Sequence, residues 1–161
     1  YFERQIPTSE NVARVLWDKL QAQPDIGTLQ RLSLYEDEDL CADLTAEAGP
    51  EVASVTRRYS FTAVHDGHRG HTWDLFVSVH GPIDRETGMV TDIVALDHLL
   101  KERVLVPFDG RDLRMVLATP SVTGEYLAKA VWDRIVSAIP AGTLQLVKLV
   151  QTRDLFYEYA G

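Results

Sequence analysis

The feature that most constrains the fold of this chain is an internal repeat. Residues 8–40 align with residues 123–155 at a constant offset of 115 residues and without a gap. TSENVARVLWDKL aligns with TGEYLAKAVWDRI, and GTLQRLSLYEDEDL aligns with GTLQLVKLVQTRDL. This period predicts one complete unit preceded by the tail of an earlier one. The residues of 8–40 that recur unchanged are Thr8, Glu10, Ala13, Trp17, Asp18, Gly27, Thr28, Leu29, Gln30, Leu34, Asp39 and Leu40.

The repeat predicts three parts of the chain. Residues 1–41 are expected to be the C-terminal half of a first repeat, so that the chain starts part-way through a unit. Residues 42–54, ADLTAEAGPEVAS, contain Ala, Gly, Pro and acidic residues without a regular period, which is typical of a linker. Residues 55–161 are expected to be a complete second repeat.

Hydrophobic periodicity predicts the same elements in both copies. Residues 9–22 carry apolar side chains at helical spacing, and the equivalent positions repeat this pattern. Thr8 and Thr123 stand where helix N-caps are expected. TLQRLSLYE and TLQLVKLVQ alternate apolar and polar residues, as half-buried strands do. We further expect a strand pair at 56–65 and 71–80, a turn at 85–88, a helix at 92–103 and a last strand at 155–160. The predicted fold class is therefore α+β, with helices covering one face of an antiparallel sheet.

Composition excludes several classes of function. The net charge of −8 argues against a surface for nucleic acid or anionic membranes. No apolar run approaches the roughly 20 residues that span a bilayer. The single cysteine, Cys41, cannot form an internal disulfide, so a cytoplasmic protein is expected.

Three histidines stand in one short stretch, HDGHRGHTW (65–73), between two β-rich runs. His65, His68 and His71 follow one another at intervals of three residues. Imidazole is a common zinc ligand, so the stretch is a candidate metal site. The alternative is a set of three solvated loop histidines.

Several motifs together resemble the 6-pyruvoyltetrahydropterin synthase and 6-carboxytetrahydropterin synthase family. They are FTAVH (61–65), a Gly-His before an aromatic residue (70–73), GMVTDIVALDHLL (88–100), PTSENVARVLW (7–17) and LSLYED (32–37). They occur in the family's order within each repeat. The resemblance implies the tunnelling fold, assembly into homo-oligomeric barrels, and zinc-dependent chemistry on a pterin-type small molecule, dihydroneopterin triphosphate.

The resemblance assigns metal ligands in the second repeat. Members of the family hold zinc with one histidine at the end of the first strand and two from a His-Gly-His motif. His65 matches the first of these and His71 the last, whereas Arg69 stands in the place of the middle one. His68 is a candidate replacement for that ligand.

The catalytic residues of the family match this repeat only in part. Asp109 matches the aspartate of the family's Asp-His pair, and Gly110 replaces the histidine. The loop that carries the family's nucleophilic cysteine is here only DGHRG, without a cysteine. Cys41 lies in the other repeat and is expected to be an incidental, partly buried thiol. His98, in LDHLL, is expected to be an ordinary surface histidine.

The resemblance also assigns substrate-binding residues, to the first repeat. Glu36 matches the family's pterin-anchoring glutamate, with Thr8 and Ser9 at the helix start beside the ligand, whereas the counterpart of Glu36 in the second repeat is Gln151. The second repeat is therefore expected to be a degenerate copy. The alternative for Glu36 is that it opens an acidic, solvated run, EDED (36–39).

Two functions from different classes follow. The first is a tandem pterin synthase in which one repeat carries the chemistry and the other completes the barrel. The second is a non-catalytic tunnelling-fold protein that binds a pterin or purine-like ligand or serves as a scaffold. For residues 55–161 alone, the missing chemical groups favour the second.

Overall fold

The computed structural model describes residues 6–65 and 70–161, so His68 and Arg69 lie outside the described residues. The longest helix among these residues has 13 residues, and none is long and apolar enough to cross a membrane. The elements are α1 (Ser9–Gln21), β1 (Arg31–Tyr35), β2 (Leu40–Thr45), β3 (Val52–Ala63), β4 (His71–Pro82), α2 (Ile93–Leu100), a π-helical turn (Lys101–Leu105), α3 (Val106–Phe108), α4 (Leu113–Val116), α5 (Gly124–Ile135), a 3-10 turn (Val136–Ala138), β5 (Thr143–Thr152) and β6 (Leu155–Tyr159).

All six strands form one antiparallel sheet in the order β1-β2-β3-β4-β5-β6. Every second residue of the long central strands, such as Leu75 and Val77 of β4, points into the core. The helices contribute to the same core, for example through Leu96 of α2. The alternate residues form a more polar face on which none of the described helices packs, and there Thr56 and Ser78 share a hydrogen bond of 2.7 Å. The predicted α+β fold, an antiparallel sheet with helices, is confirmed.

The two copies of the repeat adopt the same local structure at the same offset. α1 begins at Ser9 and α5 at Gly124, and β2 begins at Leu40 and β6 at Leu155. Both predicted N-caps are confirmed. The hydroxyl of Thr8 accepts a hydrogen bond from the Asn11 N–H, and that of Thr123 accepts one from the Tyr126 N–H, each at 3.2 Å.

Residues 42–54 form a β-hairpin, which corrects the expectation of a linker. β2 ends at Thr45 and β3 begins at Val52, and the two strands pair antiparallel from Leu40↔Arg57 to Asp43↔Ser54. The turn between them contains Gly49 at φ +79°, a backbone conformation that residues with a Cβ rarely adopt. The Ala-, Gly- and Pro-containing composition reflects this turn, and β2 is too short for its alternation to be recognised.

The start of α1 docks on the segment that precedes α2. The Thr8 hydroxyl donates to the Gly88 carbonyl, and Glu10 Oε1 accepts from the Val90 N–H at 3.0 Å. Gly88 has φ +74°, and a Cβ there would lie 2.3 Å from Asn11 Nδ2, so the close approach requires glycine. Glu10 is consequently only 3% exposed, whereas its repeat counterpart Glu125 is exposed.

This difference predicts unequal effects of one substitution at two equivalent positions. Glu10→Ala should lower the free energy of unfolding by about 1–3 kcal/mol, because it leaves the buried Val90 N–H without an acceptor. Glu125→Ala, the matched control, should change it by no more than about 0.5 kcal/mol. Urea denaturation followed by circular dichroism measures both, and equal losses would contradict the docking role of Glu10.

Candidate functional site

His65 and His71 come together at one end of the β3–β4 hairpin, with ring centroids 5.2 Å apart. His71 is the first residue of β4, and His65 follows the last residue of β3 by two positions. The segment 111–113 holds the backbone of Val64 by two hydrogen bonds, since the Val64 N–H donates to the Arg111 carbonyl at 2.9 Å and its carbonyl accepts from the Leu113 N–H at 2.7 Å. The hairpin therefore presents two imidazoles on a rigid base.

The surroundings of His65 define which of its ring nitrogens carries a hydrogen. Nδ1 lies 3.2 Å from the Val122 carbonyl oxygen, which can only accept, so Nδ1 carries the hydrogen of the neutral ring. Nε2 then has a free lone pair, and this buried atom has no hydrogen-bond partner among the described residues. A backbone carbonyl on Nδ1 with a free Nε2 is the arrangement typical of a metal-ligating histidine. Trp73, 1% exposed, forms one wall, with its ring 5.3 Å from that of His65.

The histidine pair meets part of the requirement for a catalytic zinc. Such a site uses three protein ligands and keeps one position open. Within residues 6–65 and 70–161, no group of three His, Cys, Asp or Glu side chains is placed to hold a metal. His68, the candidate third ligand, lies outside the described residues. The described side chains thus fit two of the three ligand positions, and no chemical step through zinc follows from them.

Asp109 lies at the edge of β3 beyond Leu40, the residue at which β2 begins. Its Oδ1 accepts a hydrogen bond from the Thr62 N–H at 2.8 Å, and the Gly110 N–H donates to the Thr62 carbonyl at 2.7 Å. No hydrogen bond among the described residues joins Asp109 to His65 or His71. One carboxylate oxygen of Asp109 is thus used to satisfy the backbone of the strand edge.

The predicted substrate-binding residues lie in the other copy of the repeat. Glu36 follows β1 in an exposed bend, and in the described part of the chain no hydrogen bond or ion pair engages its carboxylate. The Thr8 hydroxyl is occupied by the Asn11 N–H and the Gly88 carbonyl, and Ser9 is half-buried. No hydrogen bond among the described residues joins Glu36 to Thr8 or Ser9. The carboxylate of Glu36 is therefore available to a ligand, whereas the Thr8 hydroxyl is already engaged.

Sequence reasoning missed the residues that pack behind Trp73, the wall of the His65 site. Tyr157 of β6 packs against Trp73, with ring centroids 6.4 Å apart, and its ring lies against Gly124 at the start of α5. A signal for them existed in the repeat itself, because Tyr157 stands opposite Ala42 and Gly124 opposite Ser9 at the offset of 115 residues.

Cys41 lies on the polar face of the sheet, away from the histidine pair. It is 7% exposed, and burial, followed by the negative charge of Asp43, raises the pKa of its thiol to about 11. Its Sγ is 3.8 Å from Asp43 Oδ2. Because the thiolate is the reactive form, a thiol that stays protonated at neutral pH is a poor nucleophile. His98 is exposed, as expected for a surface histidine.

Comparison with known proteins identifies the family. The sequence model of 6-pyruvoyl tetrahydropterin synthase matches residues 54–161, which include β3 from Ser54 onward, β4, the histidine pair and everything that follows. The chain belongs to the 6-pyruvoyl tetrahydropterin synthase family. The family is that of a pterin synthase, so this chain is pterin synthase-like, and the resemblance seen in its motifs is confirmed.

Individual relatives agree with the family match. The 6-pyruvoyl tetrahydrobiopterin synthases of Pongo abelii and Homo sapiens are 32% and 31% identical over 134 residues, which cover 68% of this chain and 92% of each relative. The matched region of these family members thus contains residues that this chain lacks. The structure of Caenorhabditis elegans 6-pyruvoyl tetrahydropterin synthase superposes with a TM-score of 0.63 at 23% identity, covering 68% of this chain and 96% of that one. This last likeness supports the fold alone.

The environment of Cys41 predicts how its reactivity depends on pH. Alkylation by iodoacetamide should accelerate as the pH rises from 9 towards 11, because the thiolate forms only near a pKa of about 11. Asp43→Asn should lower this pKa and speed alkylation at pH 9, since it removes a negative charge that opposes the thiolate. Glu158→Gln, on the same polar face, is the control and should leave the rate unchanged. A wild-type rate that levels off below pH 9 would contradict this assignment.

Proposed function

We propose that the protein is a pterin synthase-like protein that acts on 7,8-dihydroneopterin triphosphate, forming a tetrahydropterin or a 6-carboxytetrahydropterin. In this proposal the ligand-binding half is the first repeat, with Glu36 as the anchor and Thr8 and Ser9 at the adjoining helix start. Residues 55–161 form a second, non-catalytic repeat. The observation that carries the proposal is the contrast between Glu36, whose carboxylate is exposed and unengaged among the described residues, and its counterpart Gln151.

The chemistry of the pterin ring explains why a carboxylate is needed at position 36. A pterin presents a ring N–H and an exocyclic NH₂ side by side, which are two donors in one plane. A carboxylate accepts both in a charge-assisted bidentate pair. A glutamine offers one acceptor and one donor. At Gln151, one of the two donors of the pterin would therefore face the NH₂ donor of the glutamine side chain. Only the copy with Glu36 therefore satisfies the ligand.

The state of the second repeat supports its non-catalytic role. One oxygen of Asp109 already accepts from the Thr62 N–H, and Gly110 stands where the family's pair has a histidine. His65 and His71 supply two nitrogen donors for zinc, with His68 as the proposed third. A catalytic function of the whole protein then depends on residues that the first repeat supplies.

The exposed surfaces support a tandem, assembled form of the protein. Phe156 of β6 is 50% exposed, whereas its counterpart Cys41 of β2 is buried beside β3. β6 is the counterpart of β2, whose outer edge pairs with β3. The corresponding edge of β6 has no such neighbouring strand among the described residues. An unpaired strand edge favours association, so a homo-oligomeric barrel in which further repeats cover β6 is the expected assembly.

The alternative function is a non-catalytic tunnelling-fold protein that binds a pterin or purine-like ligand or serves as a scaffold. The observation that favours it is that, in residues 6–65 and 70–161, the only cysteine has a thiol pKa of about 11 and no three metal donors meet. Turnover of 7,8-dihydroneopterin triphosphate by the purified protein separates the two functions. Binding without turnover would favour this alternative.

Substitution of the proposed anchor tests the ligand site. Calorimetric titration with a dihydropterin should show one site per chain, and Glu36→Gln should weaken binding about ten- to a hundredfold. This corresponds to the roughly 1–3 kcal/mol that an unsatisfied buried donor costs. Gln151→Ala is the matched control at the equivalent position and should leave the affinity unchanged. If Glu36→Gln binds as the wild type does, Glu36 is only part of a solvated acidic run.

Metal analysis tests the proposed zinc ligands. After mild chelation the protein should retain well under one zinc per chain, because two matched histidines leave the site one ligand short and Arg69 adds a positive charge nearby. His65→Ala and His71→Ala should abolish the residual binding of added Zn²⁺, while His98→Ala should not affect it. Full occupancy with His65, His68 and His71 all coordinating would contradict the non-catalytic role of this repeat.

A further inference from the structure

The edge of β3 that faces away from β4 has an opening one residue wide, at Ser60. The Arg58 N–H points to this side, because it donates to the Asp39 carbonyl at 2.8 Å. The Thr62 N–H does so as well, because it donates to Asp109 Oδ1 at 2.8 Å. Alternate residues of an antiparallel strand point to the same neighbour, so Ser60 presents its N–H and its carbonyl on this side too. No hydrogen bond among the described residues engages these two groups.

The Ser60 opening is closed at both ends. At one end β3 is covered by β2 and by Asp39, which accepts from the Arg58 N–H. At the other end the Gly110 N–H donates to the Thr62 carbonyl at 2.7 Å, so both backbone groups of Thr62 are engaged. The stretch of strand between these two ends is only about 13 Å long. The Ser60 opening therefore has room for one residue of an extended chain, and not for a further strand.

A cavity of about 460 Å³ lies beside the Ser60 opening, between β3 and the segment that runs from α2 to Asp109. Four residues of that segment, spaced four positions apart, line the cavity: Asp97, Lys101, Leu105 and Asp109. One face of the segment thus runs alongside β3. The volume lies in the range of small-molecule sites, which is roughly 300–1,000 Å³.

The charges that line this cavity are ordered along it. At one end the charge of Asp97 is balanced, because Arg57 donates to both of its carboxylate oxygens, at 3.3 and 3.4 Å. The Tyr59 hydroxyl donates to Asp97 Oδ1 as well, at 2.8 Å. At the other end stands the carboxylate of Asp109. Between them lies the exposed side chain of Lys101, whose ammonium forms no ion pair with the part of the chain that the structure describes, so the cavity offers a cation to an anionic ligand.

We propose that the Ser60 opening binds an N-acylated α-amino acid. In an antiparallel sheet, the N–H and the carbonyl of one residue pair with the carbonyl and the N–H of the residue opposite. An N-acylated amino acid offers the same two groups, because its amide N–H donates to the Ser60 carbonyl and its carboxylate accepts from the Ser60 N–H. The carboxylate also meets the ammonium of Lys101 in a charge-assisted contact. The acyl group lies against the apolar side chains of Leu105 and Val106, which line the same cavity.

The direction of β3 decides how this ligand lies. The N–H of Ser60 is on the Arg58 side of the residue, and its carbonyl is on the Thr62 side. The carboxylate of the ligand therefore lies away from Asp109, and the uncharged acyl end lies nearest to it, which avoids repulsion between like charges. A longer peptide is excluded, because its N-terminal extension would run to Thr62, whose backbone groups are already engaged.

The site is independent of the proposed pterin synthase-like function. It uses none of the residues proposed to bind the pterin or zinc. Loss of dihydropterin binding in Glu36→Gln would therefore leave the ligand of the Ser60 opening unaffected, and failure of either proposal does not decide the other.

Titration of the full chain with N-benzoylglycine, followed by ¹H–¹⁵N NMR, tests the site. The probe should shift the amide resonance of Ser60. N-benzoylsarcosine, in which a methyl group replaces the amide hydrogen, should bind at least about tenfold more weakly, because it leaves the Ser60 carbonyl without a donor. The methyl ester of N-benzoylglycine, which lacks the charge, should be weakened by a similar factor. N-benzoyltriglycine should also bind more weakly, because the opening is closed at Thr62.

Substitutions test the two groups that the protein supplies. Ser60→Pro removes the N–H at an edge position that tolerates proline, and it should abolish binding of N-benzoylglycine. Ser60→Ala, the matched control, keeps both backbone groups and should bind as the wild type does. Lys101→Gln should weaken binding about tenfold, whereas Lys148→Gln, on the polar face of the sheet, should not change it. Circular dichroism establishes that each variant is folded.

The wild type alone can overturn the proposal. A titration that leaves the Ser60 resonance in place would do so, and so would equal affinities for N-benzoylglycine and N-benzoylsarcosine. Loss of binding in folded Ser60→Ala would assign the contact to the hydroxyl, and unchanged binding in Lys101→Gln would remove the role of the ammonium; either result overturns the proposal. Equal or tighter binding of N-benzoyltriglycine would show that the opening takes the C terminus of a peptide, and would overturn the assignment to a single acylated residue.

Discussion

The pairing of β2 with β3 is the contact on which the rest of the structure depends. It joins the strands of the first copy of the repeat to those of the second, so that six strands form one sheet. It also fixes α1 against the segment before α2, where the Glu10 carboxylate accepts from the Val90 N–H. The two copies therefore form one continuous core, and the sheet that they share ends in β1 of the first copy and β6 of the second.

The same sequence pattern has different consequences in its two positions because the neighbours differ. Glu10 and Glu125 are identical residues in the first turn of equivalent helices, but Glu10 docks on the segment before α2 whereas Glu125 is exposed. Cys41 and Phe156 occupy equivalent strand positions, and only Cys41 is covered. Equivalent residues of the two copies can therefore be compared directly, because they differ in environment.

The histidine site is built on the hairpin of the two longest strands. His65 keeps the backbone carbonyl on Nδ1 and the free Nε2 that suit a metal ligand, and His71 lies beside it. Asp109, in contrast, holds the backbone of the β3 edge. The hairpin of β3 and β4, which lies at the centre of the core, thus also holds the histidine pair in place.

The sequence by itself determined the period of the repeat, both N-caps, the class of fold and the family, because each depends on local spacing that short segments carry within themselves. It also identified the His65–His71 pair. Only the tertiary structure decided that residues 42–54 form a hairpin, that Glu10 is buried and that Tyr157 lies against Gly124. These features depend on which residues meet across distant parts of the chain, and such contacts are fixed by packing and strand register rather than by the order of residues within a segment.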